Sequence, residues 1–455
     1  MQSKSINQYL NCSFECSCGR KHQSLFAHFI FEPNAIQKLP ELLGQLGYKR
    51  PYLISDTHTH EIAGRQAEEV LRKADIRFAS HILKSPENGD LAADEHALGS
   101  IAMANDKEAD IIVSIGTGTI NDLGRYFSYI TDRPFLLIAT APSMDGLVSG
   151  VAPLIFNNMK ITFPAQEPLA LICDPDIMSA APLKMLAAGA ADILGKYNCL
   201  LDWKLSSIVN DEYYCDTIAD IMRTAVDQTM ESTKGLASHD SKAVSILTQA
   251  LVLSGIAMDF SGNSRPASGA EHHQSHYWEM QFLFDGIPAV LHGTKVGIGT
   301  VLMLELYNML AEMEKPDFAK IRKEISGRPS MEEWEKEIRR CYRDGAEGII
   351  ALEKKAGKND AEGLLKRLSV MEEKWDEISA LAKTAPKSSE IYHVLEEMGA
   401  AKVPADVGIS RGYVYDSIRY GKELRDRYTI LQLMWDIGKL DEAADMLVAK
   451  YCKES

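Results

Sequence analysis

The stretch GAEHHQSHYWEM, residues 269–280, sets three imidazoles, His272, His273 and His276, beside the carboxylate of Glu271 in a chain with only 12 histidines. Imidazole is the commonest metal ligand and the side chain that exchanges a proton near neutral pH. His272 and His276 are four residues apart and share a helical face, which turns His273 elsewhere. Two other stretches carry candidate ligands. Asp192 lies in AADILGKYN, with Lys196 one helical turn further on, and His292 lies in PAVLHGTKVGIGT between apolar residues and a glycine. One acid and two imidazoles from separate segments form a ligand set for zinc, nickel or iron(II) that leaves positions open for substrate. The competing reading is that each histidine is a satisfied core residue.

A second chemistry is carried by DIIVSIGTGTINDLGRY, residues 110–126, which runs from an apolar strand through a Gly-rich turn into a helix. Gly116 and Gly118 allow backbone N–H groups to approach a phosphate, and the helix N-terminus adds its dipole. Asn121 occupies the third glycine position of the dinucleotide fingerprint, so a plain strand-to-helix turn stands as the alternative. Asp56 closes the strand PYLISD, where an acid accepts hydrogen bonds from a ribose or caps the following helix. The loop TAPSMDG, residues 140–146, also follows a strand, at the end where open α/β sheets bind ligands; a solvated turn is its other reading. In CSFECSCGRKH, residues 12–22, Cys12, Cys16, Cys18 and His22 offer four metal ligands, but the spacing is poor for structural zinc and suits a plain hairpin.

These residues need a scaffold. The first 180 or so residues alternate short β-rich runs (HFIFE, PYLIS, RFASHILK, DIIVSI, PFLLIAT) with amphipathic segments. That alternation predicts βαβ units and a mostly parallel sheet, with PLIFN and KITFP added to it as a hairpin. After Pro182 the period becomes helical and stays so, with charged faces such as SMEEWEKEIRRCYRDG exposed. A chain of 455 residues is most simply two domains.

The 49 basic and 64 acidic residues leave a net charge of −15, which argues against nucleic acid or an anionic membrane as the main partner. No run reaches the roughly 18 uninterrupted apolar residues of a membrane span, and MQSKSINQYLNCSFEC lacks the core of a signal peptide. The eight scattered cysteines fit reduced thiols. A cytoplasmic protein without stable membrane association is expected.

Taken in order, GTGTIND, TAPSMDG, DILGKY followed by LDW, SGAEHHQSHYWEM and LHGTKVGIGT resemble the bacterial type of sn-glycerol-1-phosphate dehydrogenase. That family sits within the group of iron-type alcohol dehydrogenases, glycerol dehydrogenases and dehydroquinate synthases. The resemblance runs from the CSCG segment through residue 310; beyond that, only helical character matches. It implies an α/β Rossmann-like N-terminal domain (1–180), an all-helical C-terminal domain (181–455) and an active site in the cleft between them. The family's metal ligands fall on Asp192, His272 and His292. Its NAD(H) or NADP(H) contacts fall on Asp56, on Gly118, Thr119, Ile120, Asn121 and Asp122, and on Thr140, Ser143 and Ser149, to which the turn itself adds Gly116. Its substrate contacts fall on Asp145, Asp192 and His276. Iron-type alcohol dehydrogenases carry a histidine four residues after the metal-binding acid, where this chain has Lys196. That departure fits one Zn2+ or Ni2+ on three ligands better than iron, and it sets a cation where a substrate phosphate would lie. The implied reaction is reduction of dihydroxyacetone phosphate by a homodimer, with His276 or a metal-bound water as proton donor. A glycerol dehydrogenase-like polyol oxidoreductase and a dehydroquinate synthase-like lyase are the rival readings.

Overall fold

The computed structural model describes residues 6–85, 91–157 and 159–452. The chain divides into two compact units that alternate along the sequence, Met1–Ile193 with Asp220–Ser264, and Leu194–Ala219 with Arg265–Ser455. Among the described residues there are ten strands, all in the first unit: β1 (Ser13–Glu15), β2 (Lys21–Gln23), β3 (His28–Phe31), β4 (Pro51–Asp56), β5 (Ala79–Leu83), β6 (Ile111–Gly116), β7 (Phe135–Ala139), β8 (Val151–Phe156), β9 (Met159–Pro164) and β10 (Ala170–Cys173). Six helices carry candidate residues or hold them in place: α1 (Thr119–Ile130), α2 (Leu183–Leu194), α3 (Lys196–Asn210), α4 (Ser241–Ser261), α5 (Ala270–Phe284) and α6 (His292–Glu312).

The central sheet of the first unit has six strands in the order β3-β10-β7-β6-β4-β5, and every pairing in it is parallel. Every residue of β6, β7 and β10 is buried, as continuous apolar runs covered on both faces must be. The chain leaves β4 outward to β5 but leaves β6 in the opposite direction to β7. The carboxyl ends of β4 and β6 therefore flank a topological switch point, the place where open α/β sheets bind ligands. Asp56 ends β4 and Gly116 ends β6.

One expectation needs correction. PLIFN and KITFP do form a hairpin, β8–β9, but it is a separate two-stranded sheet rather than part of the main one. Burial alternates along β8, which leaves one face toward solvent and disqualifies it from a sheet covered on both sides. The place beside β7 belongs to β10, whose run ALIC is apolar throughout.

Helix α4 is long and apolar enough to cross a membrane by length and composition, yet 67% of its apolar window is buried. Leu247, Leu251 and Ile256 have no exposed surface, so α4 serves as a core helix of the first unit. The second unit is built from helices and the turns between them, with no strand among its described residues. Helices α5 and α6 pack along one another there, around the buried rings of Trp203, Trp278 and Tyr307.

Candidate active site

The Gly-rich turn is built as an anion cradle. Gly116 has φ +158°, and a Cβ there would lie 2.8 Å from the Cβ of Ile120. Gly118, with φ +47°, precedes the first turn of α1, and a Cβ on it would meet nothing within 4 Å. The backbone at Gly118 thus needs glycine for its conformation and keeps the space over the helix N-terminus open, which fits a pyrophosphate. The close-packing role of the third fingerprint glycine falls to Gly124, where a Cβ would stand 1.8 Å from Ser114 Oγ. Asn121, the residue that broke the motif, is fully buried and donates from Nδ2 to Gly146 O at 3.0 Å. It ties the glycine turn to TAPSMDG.

The remaining residues assigned to the cofactor gather around this turn. Thr140 N–H donates to Gly116 O at 3.3 Å, and Thr117 Oγ1 meets Ser143 Oγ at 3.3 Å. Thr119 Oγ1 donates to Leu91 O at 3.2 Å. Asp122 accepts from Arg125 Nη2 at 2.6 Å, while Arg125 Nη1 donates to Ser149 O at 2.9 Å. Arg125 is 1% exposed and neutralises the buried acid next to the helix N-terminus. Ile120 turns its side chain into the core and can offer only its backbone. Asp56 takes the capping role: its Oδ1 accepts from Thr59 N at 2.7 Å, and Thr59 Oγ1 accepts from Asp56 N at 3.0 Å.

Asp192 has no exposed surface and its Oδ2 accepts from Asp145 N at 3.1 Å. Asp145 Oδ2 in turn accepts from Ser254 Oγ of α4 at 3.1 Å. Two helical glycines allow this: a Cβ on Gly189 of α2 would lie 1.9 Å from Pro142 O, and one on Gly255 of α4 would lie 2.2 Å from Val148 Cγ2. The loop that carries Asp145 therefore lies in van der Waals contact with both helices. Lys196 is fully buried. The helix bearing Asp192 stops at Leu194 and the next begins at Lys196, so the one-turn spacing expected between them crosses a helix break.

In the second unit, α5 and α6 bring three imidazoles together. Ring centroids are 5.3 Å apart for His272 and His292, 5.4 Å for His276 and His292, and 6.2 Å for His272 and His276. His272 Nδ1 lies 2.6 Å from Glu271 Oε1. An ionised carboxylate can only accept, so Nδ1 carries the proton and the Nε2 lone pair remains to bind a cation, the arrangement typical of metal-ligating histidine. Burial alone would push the Glu271 carboxyl up, but hydrogen bonds from His272, Gly269 N and Asn198 Nδ2 hold it below the usual range. His276 Nδ1 lies 3.3 Å from Glu279 Oε2, and the donor atoms of His276, Glu279 and His292 fall within 4.8 Å of one another. Lys295 is buried, 3.5 Å from Glu279 Oε1, and donates to Val290 O.

The start of α5 is pinned by Asp202 of the LDW motif, which accepts from Ala270 N at 2.7 Å, Tyr307 OH at 2.7 Å and Ile430 N at 2.8 Å. Burial first, then the charge of Glu271, pushes its pKa up to about 7. His273 is fully buried, and neither ring nitrogen has a hydrogen-bond partner among the described residues. Burial first, then the cations Arg427, Arg425 and Lys358, push its pKa well below the ordinary imidazole value. Sequence reasoning missed the roles of Glu271, Asp202, Arg125 and Gly189; the pairing of an acid with the next residue's histidine was the one signal for Glu271.

Residues 30–182 match the family model of iron-containing alcohol dehydrogenase. The chain is 34% identical to an NAD(P)+-linked glycerol-1-phosphate dehydrogenase of Halalkalibacterium halodurans, over 94% of this chain and 96% of that protein. It is 30% identical to the enzyme of the same description from Geobacillus stearothermophilus, over 95% and 98%. These alignments extend well past residue 310. Among solved structures, a probable glycerol dehydrogenase from Sinorhizobium meliloti 1021 superposes with a TM-score of 0.59 at 16% identity, over 93% of this chain and 97% of that one.

Proposed function

The chain belongs to the NAD(P)+-linked glycerol-1-phosphate dehydrogenase family, and from that premise we propose a metal-dependent, reversible reduction of dihydroxyacetone phosphate to sn-glycerol 1-phosphate. It is an NAD(P)-linked oxidoreductase of the iron-containing alcohol dehydrogenase type. Asp192, His272 and His292 are the proposed ligands of one Zn2+ or Ni2+, and the observation that carries this is the 2.6 Å contact of His272 Nδ1 with Glu271. That contact commits one ring nitrogen and leaves the other as a donor, at a ring 5.3 Å from His292. When bound, the metal supplies a Lewis acid for the ketone oxygen, and the nicotinamide supplies the hydride for carbon 2.

The protein's own contribution is position and charge. The N–H groups following Gly116 and Gly118 would hold the pyrophosphate, with Thr119, Ile120, Asn121, Asp122, Thr140, Ser143 and Ser149 shaping the site. Asp145, fixed by Ser254 and by its N–H bond to Asp192, would orient substrate hydroxyls. His276, side chain 28% exposed and backed by Glu279, would deliver the proton to the developing alkoxide. Lys196 would meet the substrate phosphate. We assign the dinucleotide function to residues 1–180 and the metal and substrate functions to 181–455, with Asp145 as the one substrate contact from the first part, in a cytoplasmic homodimer.

The test is nicotinamide absorbance. Metal-loaded protein given NADH is expected to oxidise it with dihydroxyacetone phosphate far faster than with free dihydroxyacetone. Equal rates would assign a polyol oxidoreductase, and no net oxidation with any ketone would overturn the hydride transfer.

Asp56 allows a prediction of cofactor choice. Its carboxylate caps a helix, and serine caps equally well, so Asp56→Ser removes the charge while keeping the local fold. Loss of a charged hydrogen bond to the ribose should move the kcat/KM ratio toward NADPH by about tenfold or more. No movement would leave Asp56 as a helix cap alone.

A further inference from the structure

The N-terminal hairpin joins a tight turn to a set of metal-ligating side chains. Strands β1 and β2 pair antiparallel with Phe14 opposite His22 and Glu15 opposite Lys21. The turn between them closes through Gly19 N donating to Cys16 O at 3.0 Å and Cys16 N donating to Arg20 O at 3.1 Å, with Gly19 at φ +83°. That left-handed glycine folds the chain back so that Cys16, Cys18 and His22 place their donor atoms within 4.8 Å of one another. Cys18 Sγ lies 3.3 Å from His22 Nε2.

His22 is 1% exposed, and its Nδ1 lies 2.7 Å from Phe260 O. A carbonyl can only accept, so Nδ1 is the protonated nitrogen and the Nε2 lone pair faces the two sulfurs. A divalent ion satisfies both sulfurs as thiolates and the nitrogen at once. Tetrahedral zinc, with bonds of about 2.3 Å to sulfur and about 2.0 Å to nitrogen, separates S and N donors by roughly 3.5 Å, close to the distance seen. The carbonyl behind the ring is the usual partner of a zinc-bound histidine. Two strands of three residues each are also too short to hold a hairpin unaided, although Phe14 and His22 pack on Phe260 of α4.

We propose that Cys16, Cys18 and His22 bind a zinc ion, separate from the metal of the reaction, that pins the hairpin to α4, with water or a further donor completing the tetrahedron. Thiolate donors select zinc over harder divalent ions. Deprotonation of the two thiols accompanies binding, and no redox step is involved.

The experiment uses the whole chain loaded with cobalt(II) as a spectroscopic stand-in for zinc. Wild-type protein and His292→Ala should both show a thiolate-to-cobalt charge-transfer band, and the double variant Cys16→Ser, Cys18→Ser should lack it and bind about one equivalent less zinc. In wild type, Cys16 and Cys18 should resist a thiol reagent until a chelator is added, a readout that holds even where the variant fails to fold. A cobalt-loaded wild type without the thiolate band, or thiols equally reactive with and without chelator, would overturn the site. Neither readout involves turnover, so the proposed reaction can fail while this site stands, and the reverse.

Discussion

His272→Ala and His292→Ala are each expected to lose the divalent metal of the reaction and to lower kcat/KM on the order of a thousandfold or more, since Lewis-acid stabilisation of the developing charge is worth several kcal/mol. Both side chains lie near the starts of helices that have other anchors. His272 is the third residue of α5, whose start is fixed by Asp202 through Ala270 N, and His292 is the first residue of α6. Circular dichroism and thermal melting should therefore show a folded protein without metal. Glu271→Gln should weaken metal affinity by about ten- to a hundredfold, because an amide fixes the His272 ring less firmly and makes it less basic. His273→Ala is the internal control. It removes a ring with no hydrogen-bond partner among the described residues, so it should cost stability through a cavity while the metal stays. Equal metal loss in His272→Ala and His273→Ala would show that the wrong imidazole was chosen.

Lys196→Ala is expected to lose about 1.5–3 kcal/mol of substrate interaction, the range for hydrogen bonds to charged groups, or roughly ten- to 150-fold in kcat/KM with dihydroxyacetone phosphate. Lys196 has no exposed surface and opens helix α3. Burial and the positive end of the helix dipole both disfavour a cation there, and the negative charge of a bound phosphate would relieve that cost. A protein of net charge −15 holds a dianionic substrate only with such a local cation. The loss should nearly vanish with dihydroxyacetone. An equal loss on both substrates would assign Lys196 to the metal's surroundings, and no loss on either would leave the phosphate to other groups.

The main strands of the first unit were legible because parallel strands covered on both faces are almost continuously apolar, as in DIIVSI and PFLLIAT. The hairpin β8–β9 was legible as a hairpin but not in its place, since local pattern reports pairing between neighbours and not which sheet they join. Helical period likewise identified α4 without showing that it packs in the same unit as the sheet. Glycine turns were partly legible: Gly116 and Gly118 stand out after a strand, whereas Gly124, Gly189 and Gly255 read as tolerated helix positions. Only the near contacts with Ser114, Pro142 and Val148 reveal why no side chain fits. Glu271 was visible beside the histidines, but its role depends on which ring nitrogen it meets, a matter of rotamer and not of spacing. For Asp56 the cap and the ribose contact are compatible, because one carboxylate oxygen serves the cap.

The stereochemistry of the product tests the account most directly. Metal-loaded protein should be incubated with dihydroxyacetone phosphate and NADH, and the glycerol phosphate formed should be presented to a dehydrogenase specific for the sn-3 enantiomer. Product is expected to form in step with NADH oxidation and to resist that enzyme, which identifies sn-glycerol 1-phosphate. Product consumed by it, or NADH oxidation that persists undiminished in His292→Ala, would contradict the account.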